Sequence, residues 1–257
     1  MFQKKEAKVT LNANQEISKV TNQGKKISFV FGTRPEAIKL APVIVAAKNS
    51  SLLETHVCIT AQHRELLDQA LDVFGIAPDE DLNLMQPRQT LSGLTARALT
   101  RIDEYLKKYR PDLIVVQGDT TTVFAAAVAA FYNRIPVAHV EAGLRTSEMY
   151  SPYPEEMNRV LTSKLTALHC APTQLSKRNL LNEGTQSTIY VTGNPVVDAL
   201  NMIGKRVDDR ITSALPKNLL VENGRPFVLI TGHRRESFGA GFESMCRAIA
   251  ELARKFG

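Results

Sequence analysis

Short, mostly apolar runs recur along this chain, and between each and the next lies a segment with helical periodicity. Strand-like runs fall at 26–31, 54–60, 112–117, 135–140, 167–171, 188–192 and 226–231. Helical spacing is read at 35–48, 62–74, 91–109, 120–132, 155–166, 173–182 and 195–206. Strand, helix, strand at this rhythm leaves each strand no tight hairpin to its neighbour, so the pairing must be parallel with helices crossing over both faces. The run Leu113 to Asp119, LIVVQGD, is apolar up to its polar end, as a central parallel strand buried on both sides requires. The pattern predicts an α/β doubly wound parallel sheet. No internal repeat or low-complexity segment interrupts it.

The 257 residues, 44% hydrophobic and 23% charged, suffice for one large domain or two smaller ones. Composition shifts place a basic, disordered extension at 1–26, an N-terminal α/β domain at 27–203 and a linker region at 204–225. The stretch 226–257 reads as the first strand–helix unit of an incomplete C-terminal domain. In the last segment Phe242, Met245, Ile249, Leu252, Ala253 and Phe256 stand at helical spacing. A lone strand–helix unit cannot bury both of its apolar faces. The net charge of +6 is concentrated in the first 26 residues, where six Lys face two Glu. The remainder is nearly balanced and carries no aromatic-rich basic motif, which argues against nucleic acid as partner.

The N-terminal stretch has no continuous apolar run of the secretory kind and no Arg, and no segment of the chain is apolar for the length of a bilayer span. Cys58, Cys170 and Cys246 are far apart among apolar neighbours and read as small core residues, not as a disulfide framework or a metal site. The expected setting is the cytoplasm.

Between the first strand and first helix lies FGTRPEAIKLAP, residues 31–42. Gly32 permits a tight turn, and Pro35 suits the start of a helix because its missing N–H would be unpaired there. Arg34 and Lys39 then sit near a helix N-terminus, where open backbone N–H groups and the dipole favour an anion. A phosphate or diphosphate site follows from this reading. The alternative is a solvated Arg and Lys on an ordinary first helix.

In open α/β sheets ligands bind beyond the carboxyl ends of the strands. The other strand ends here supply Gln62-His63-Arg64, Asp119 with Thr120 to Thr122, Glu141 with Gly143 and Arg145, Thr192-Gly193-Asn194, and His233-Arg234-Arg235. Asp119 alone would be a plausible N-cap. His139 and His169 read as structural strand histidines. The Pro-rich approach SPYPEE, 151–156, brings Glu155 or Glu156 to a helix start, and periodicity does not choose between them. Three carboxylates (Asp119, Glu141, Glu155) and several cations (Arg34, Lys39, His233, Arg234) suit proton transfer beside a diphosphate. No HExxH, nucleophile elbow or metal-binding run accompanies them. The residues alone lead to metal-free acid–base chemistry on a phosphorylated or nucleotide-linked substrate.

With those residues assembled, the chain resembles the non-hydrolysing UDP-N-acetylglucosamine 2-epimerases of bacteria. The matching motifs are FGTRPEAIKLAP at 31–42, TAQHRELLDQ at 60–69, QGDTTT at 117–122, HVEAGLRT at 139–146, SPYPEEMNR at 151–159, TGNPVVDAL at 192–200 and TGHRRESFG at 231–239. The resemblance implies a GT-B-like architecture of two Rossmann-like domains, of which this chain holds the first and only the start of the second. It also implies a cytoplasmic homodimer without added cofactor that converts UDP-GlcNAc to UDP-ManNAc for surface polysaccharide precursors. In the implied mechanism UDP leaves C1 as the C2 proton is removed, giving 2-acetamidoglucal, and UDP re-adds as a proton reaches the opposite face.

By the same resemblance Arg34, Lys39 and Arg234 belong to substrate binding and Asp119, Glu141, Glu155 and His233 to the catalytic set. Gln62, His63 and Arg88 match parts of a region where many members bind a second UDP-GlcNAc as activator. Glu65 stands where activator-dependent members tend to have Gln. Family members continue past the position of Gly257 into a Gly-rich segment and the residues that hold the uridine. The expectation for the isolated chain is therefore little or no epimerase activity, with a binding or dimerisation module, or a hydrolysing 2-epimerase, as the alternatives.

Overall fold

The structure, a computed structural model, describes residues 24–61, 64–86, 89–204, 230 and 239–256. The chain divides into two compact units, Met1–Arg206 and Val207–Gly257. In the first, the strands are β1 Lys25–Phe31, β2 Leu53–Ile59, β3 Glu80–Asp81, β4 Leu113–Gln117, β5 Val137–Val140, β6 Leu168–Ala171 and β7 Thr188–Val191. The helices are α1 Arg34–Lys48, α2 Arg64–Phe74, α3 Leu91–Tyr109, α4 Thr121–Tyr132, α5 Glu155–Leu165, α6 Gln174–Asn182 and α7 Val196–Gly204. One helix of the second unit, α8 Ala240–Phe256, is described.

All strands pair in parallel, in the order β3-β2-β1-β4-β5-β6-β7. The order reverses between β1 and β4, which opens a crevice at their carboxyl ends. Alternation along β1 shows why both faces of the sheet must be covered. Phe29 and Phe31 pack with Ile44, Ile59, Leu67 and Phe74 on the α1–α2 side. Val30 turns the other way, to Cys58, Ile102, Leu106 and Val116 on the α3–α4 side. Helix α4, TTVFAAAVAAFY, has Ala at five of its positions, and Ala125, Ala126, Ala127, Ala129 and Ala130 are almost wholly buried. Small side chains let this helix lie close to the strands while neighbouring helices flank it. Inside the sheet the Ser28 hydroxyl is satisfied by Tyr105 Oη at 2.6 Å, which also contacts His56 Nδ1 at 2.8 Å.

The doubly wound sheet forms as the alternation predicts. Strand β3 is an addition to the sequence reading: two acidic residues at the sheet edge carry no apolar run to betray them. Cys246 departs from the core role expected of it, since it is exposed on α8, while Cys58 is buried and Cys170 half-buried. On α8 the spaced apolar residues Phe242, Leu252 and Phe256 are exposed, whereas Met245 and Ile249 are half-buried. The basic extension up to residue 23, most of the 204–225 linker region and the strand-like run 226–231 apart from Ile230 lie outside the described residues. Among the described residues no helix is long and apolar enough to cross a membrane.

His139 and His169 face each other across β5 and β6. Burial drives both imidazoles down to about 4; His169 and the positive Arg145 lower His139 further, and Arg145 lowers His169. Both are therefore neutral in the folded protein at pH 7. The unfolded chain takes up protons below about pH 6.5, so the folded state loses relative stability as pH falls from there toward 4. We expect the ring signals of His139 and His169 in an NMR titration to stay unmoved until about pH 4. The thermal midpoint should fall through the same window, by an amount corresponding at most to roughly 3 kcal/mol per histidine.

Candidate active site

The crevice between the β1 and β4 ends is built around carboxylates, and each is held differently. Glu141 follows β5 with φ 64°, a left-handed conformation that costs a side-chain-bearing residue about 1–3 kcal/mol. That turn sends its carboxylate back across the sheet edge. Lys39 Nζ from α1 donates to both oxygens, at 2.8 and 2.6 Å. Gln117 Nε2, the last residue of β4, donates to Oε2 at 2.5 Å, and Asn194 Nδ2 donates to Oε1 at 2.7 Å. Asn194 also accepts from the amide of Val196 at the start of α7 (3.0 Å). The Glu141 side chain is 9% exposed.

Asp119 lies on the turn after β4. It does not cap α4: Thr120 is the N-cap, its hydroxyl accepting from the Val123 amide at 3.3 Å. Asp119 Oδ2 instead meets Arg159 Nη2 of α5 at 2.7 Å. Its backbone carbonyl accepts from Asn158 Nδ2 at 2.9 Å. On the same turn His139 Nε2–H donates to the Gly118 carbonyl at 2.7 Å, which fixes the tautomer of this buried ring. Burial pushes the Asp119 carboxyl above its usual range; Arg159 and Lys39 pull it down, while Glu155 and Glu141 push it up. Asp119 thus feels both other carboxylates, and the three form one electrostatic cluster.

The two glutamates at the start of α5 separate cleanly. Glu156 is buried and accepts from the amides of Thr146 and Ser147 at 3.0 and 3.1 Å, and Arg159 Nη1 lies 3.4 Å from it. It pins the 146–147 loop. Glu155 is half-buried, and its carboxylate has no hydrogen bond or ion pair among the described residues. Both peptide bonds that enter the two prolines before it, Ser151-Pro152 and Tyr153-Pro154, are cis.

The anion site read in FGTRPEAIKLAP is present, but its anion is internal. Glu36 accepts from the amides of Gly32 and Thr33 at 3.0 and 2.7 Å, and from the Thr120 hydroxyl at 2.8 Å. A carboxylate three residues into the helix reaches back at high effective concentration, as in half of a capping box. Those amides are therefore not open to a diphosphate. Lys39 is paired with Glu141, whereas Arg34 stands exposed at the first residue of α1. Arg145, supplied by the strand end after Glu141, is turned away into a bidentate pair with Glu183 at 2.6 and 2.8 Å. Gly143, at φ 86°, lets that loop approach α6, where an added Cβ would meet the Ser176 carbonyl oxygen at 2.2 Å.

Asp119, Glu141, Glu155 and Lys39 are thus brought together, while Arg34 is exposed at the first residue of α1. Gln62, His63, Arg88, His233 and Arg234 lie outside the described residues. Sequence reasoning missed Glu36, Gln117 and Arg159, and it placed Asn194 at a strand end without assigning it a partner. Thr33-Arg34-Pro35-Glu36 carries the capping-box spacing and was findable; the others are polar residues whose partners come from distant elements. A cavity of about 680 Å³ beside the cluster is lined by Pro42, Val43 and Ala46 of α1 and Asp198, Asn201 and Met202 of α7. The three carboxylates do not line it. Among the described residues no set of three or more His, Cys, Asp or Glu side chains is placed to hold a metal ion.

A strand-order reversal lined by carboxylates and a paired lysine defines a doubly wound α/β protein with a polar site at its switch point, and comparison with known proteins specifies it further. A family model described as UDP-N-acetylglucosamine 2-epimerase matches residues 45–256. The UDP-N-acetylglucosamine 2-epimerase of Escherichia coli K12 is 51% identical over 232 residues, spanning 89% of this chain and 62% of the relative. The crystal structure of the Neisseria meningitidis UDP-GlcNAc 2-epimerase bound to UDP-GlcNAc superposes with a TM-score of 0.84 at 47% identity, over 90% of this chain and 63% of that one. The Methanocaldococcus jannaschii UDP-GlcNAc 2-epimerase in complex with UDP-GlcNAc and UDP gives 0.68 at 38% identity, over 73% and 52%. The chain belongs to the UDP-N-acetylglucosamine 2-epimerase family. Its fold is that of these GT-B-type enzymes over about 60% of their length.

Because Glu36 ties the β1–α1 turn to the β4–α4 turn, its removal strands two buried amides and a hydroxyl. Glu36→Ala is expected to lower stability in urea unfolding by about 2–4 kcal/mol, and Glu36→Gln by less, since one acceptor oxygen survives.

Proposed function

We propose that this site carries out the carboxylate half of a C2 epimerisation of UDP-N-acetylglucosamine to UDP-N-acetylmannosamine. The observation that carries the reading is the convergence of Asp119, Glu141 and Glu155, with Lys39, at the switch point of a sheet whose relatives bind UDP-GlcNAc. Elimination of UDP from C1 and C2–H needs a base at C2, negative charge near a cationic C1, and a proton source for the return on the opposite face. The half-buried Asp119 has its affinity for a proton raised by desolvation, and Glu155, which it feels electrostatically, keeps unoccupied oxygens. Arg34, exposed at the start of α1, is proposed to meet a phosphate, with His233 and Arg234 as further cationic groups for the diphosphate. UDP re-adds to the glucal in the reverse sense, so the reaction is of the non-hydrolysing kind and neither consumes water nor calls on a cofactor. The enzyme is proposed to act as a cytoplasmic homodimer that feeds polysaccharide precursor synthesis. Gln62, His63 and Arg88 are carried as a proposed activator site.

The test is incubation of the chain with UDP-GlcNAc in heavy water, followed by NMR of the recovered sugar. Deuterium is expected at C2, accumulating slowly compared with a full-length relative, and lost on Asp119→Asn, Glu141→Gln or Glu155→Gln. Unlabelled sugar after prolonged incubation, with UDP-GlcNAc binding intact by calorimetry, would sink the proposal. It would favour the binding-only reading, which the 62% coverage of the relatives supports.

A further inference from the structure

Four hydrogen bonds hold the Glu141 carboxylate in one orientation. Oε1 accepts from Lys39 and Asn194, and Oε2 from Lys39 and Gln117. An ionised carboxylate has about four acceptor positions, so both oxygens are taken up by protein donors. Two of those donors are carboxamide N–H groups, neutral partners that fix the direction of each oxygen without adding charge. The other carboxylates are held differently: Asp119 commits one oxygen to Arg159, and Glu155 commits neither.

We infer that Gln117 and Asn194 are positioning residues that hold the Glu141 carboxylate in place opposite Lys39, while Asp119 and Glu155 keep the open oxygens that proton movement needs. The inference rests on the epimerase reading above and divides its labour. It also gives Asn194 two jobs, since the same side chain starts α7 through the Val196 amide while it grips Glu141. Shifting the β7–α7 turn would thus disturb the charge at the centre of the site.

Replacing each carboxamide by its carboxylic acid tests this, because a protonated carboxyl donates one hydrogen bond as the amide does and an ionised one repels Glu141. The charged groups that act on Glu141 are Lys39 of α1 and Asp119 beyond β4, and Asp119 in turn feels Glu155 and Arg159 of α5. In Gln117→Glu the new carboxyl should hold its proton above the ordinary carboxylate range. Its folded form is then favoured at low pH and penalised as pH rises. The stability gap between wild type and Gln117→Glu, measured as thermal midpoints, is expected to widen from pH 5 to pH 8. For Gln117→Met the gap should stay constant. Asn194→Asp, which keeps the oxygen that caps α7, should behave as Gln117→Glu does.

In the C2 deuterium assay Gln117→Met is expected to be tenfold or more slower than wild type at both pH values. Gln117→Glu should recover to within about threefold at pH 5 and lose tenfold or more at pH 8. A gap that does not widen overturns the inference, as does a widening gap with labelling rates unchanged. If wild type itself labels no sugar, the epimerase reading falls, and the midpoint comparison alone then decides whether the carboxamides hold an anion.

Discussion

A single buried carboxylate holds the carboxyl edge of this sheet together. Glu141 leaves β5 in a left-handed turn and is gripped by donors from α1, β4 and the β7–α7 turn. A charge so placed is costly unless its partners are present and well aimed. The residues that satisfy it therefore register α1, β4, β5 and the entry to α7 against one another. The strand-order reversal makes this possible: β1 and β4 are neighbours whose helices leave to opposite faces, so the groups at their ends meet over an open crevice.

Around that centre the polar groups sort into supports and reactive groups. Glu36, Glu156 and Arg145 carry charge and stand near the strand ends, but their bonding capacity is spent on loop amides or on Glu183. Asp119 and Glu155 retain open oxygens. Arg159 contributes to both sets, since it neutralises part of Asp119 and lies against Glu156. Three carboxylates gathered in one crevice repel one another unless cations are paired with them, and Lys39 and Arg159 supply these.

The same economy explains why α1 does not offer its N-terminus to a ligand. The amides just ahead of the helix, those of Gly32 and Thr33, are filled by Glu36, which at the same time links the turn to Thr120. Arg34, at the first residue of the helix, remains exposed. The turn therefore differs from glycine-rich dinucleotide sites, where the backbone amides are left open for an anion.

Periodicity by itself determined the layered parallel sheet, because strand-length apolar runs such as LIVVQ have no other way to bury two faces. It also placed Asp119, Glu141 and Lys39 at strand or helix ends, where topology must bring them near one another. It could not choose between Glu155 and Glu156, since adjacent residues of a first helical turn differ only in what stands opposite. Nor could it show that Lys39 pairs with Glu141, that Glu36 fills its own helix end, or that Gln117 and Asn194 close around one carboxylate. Those pairings join residues separated by up to 102 positions. Hydrogen-bond partners are set by three-dimensional proximity and burial, which only the tertiary structure decided.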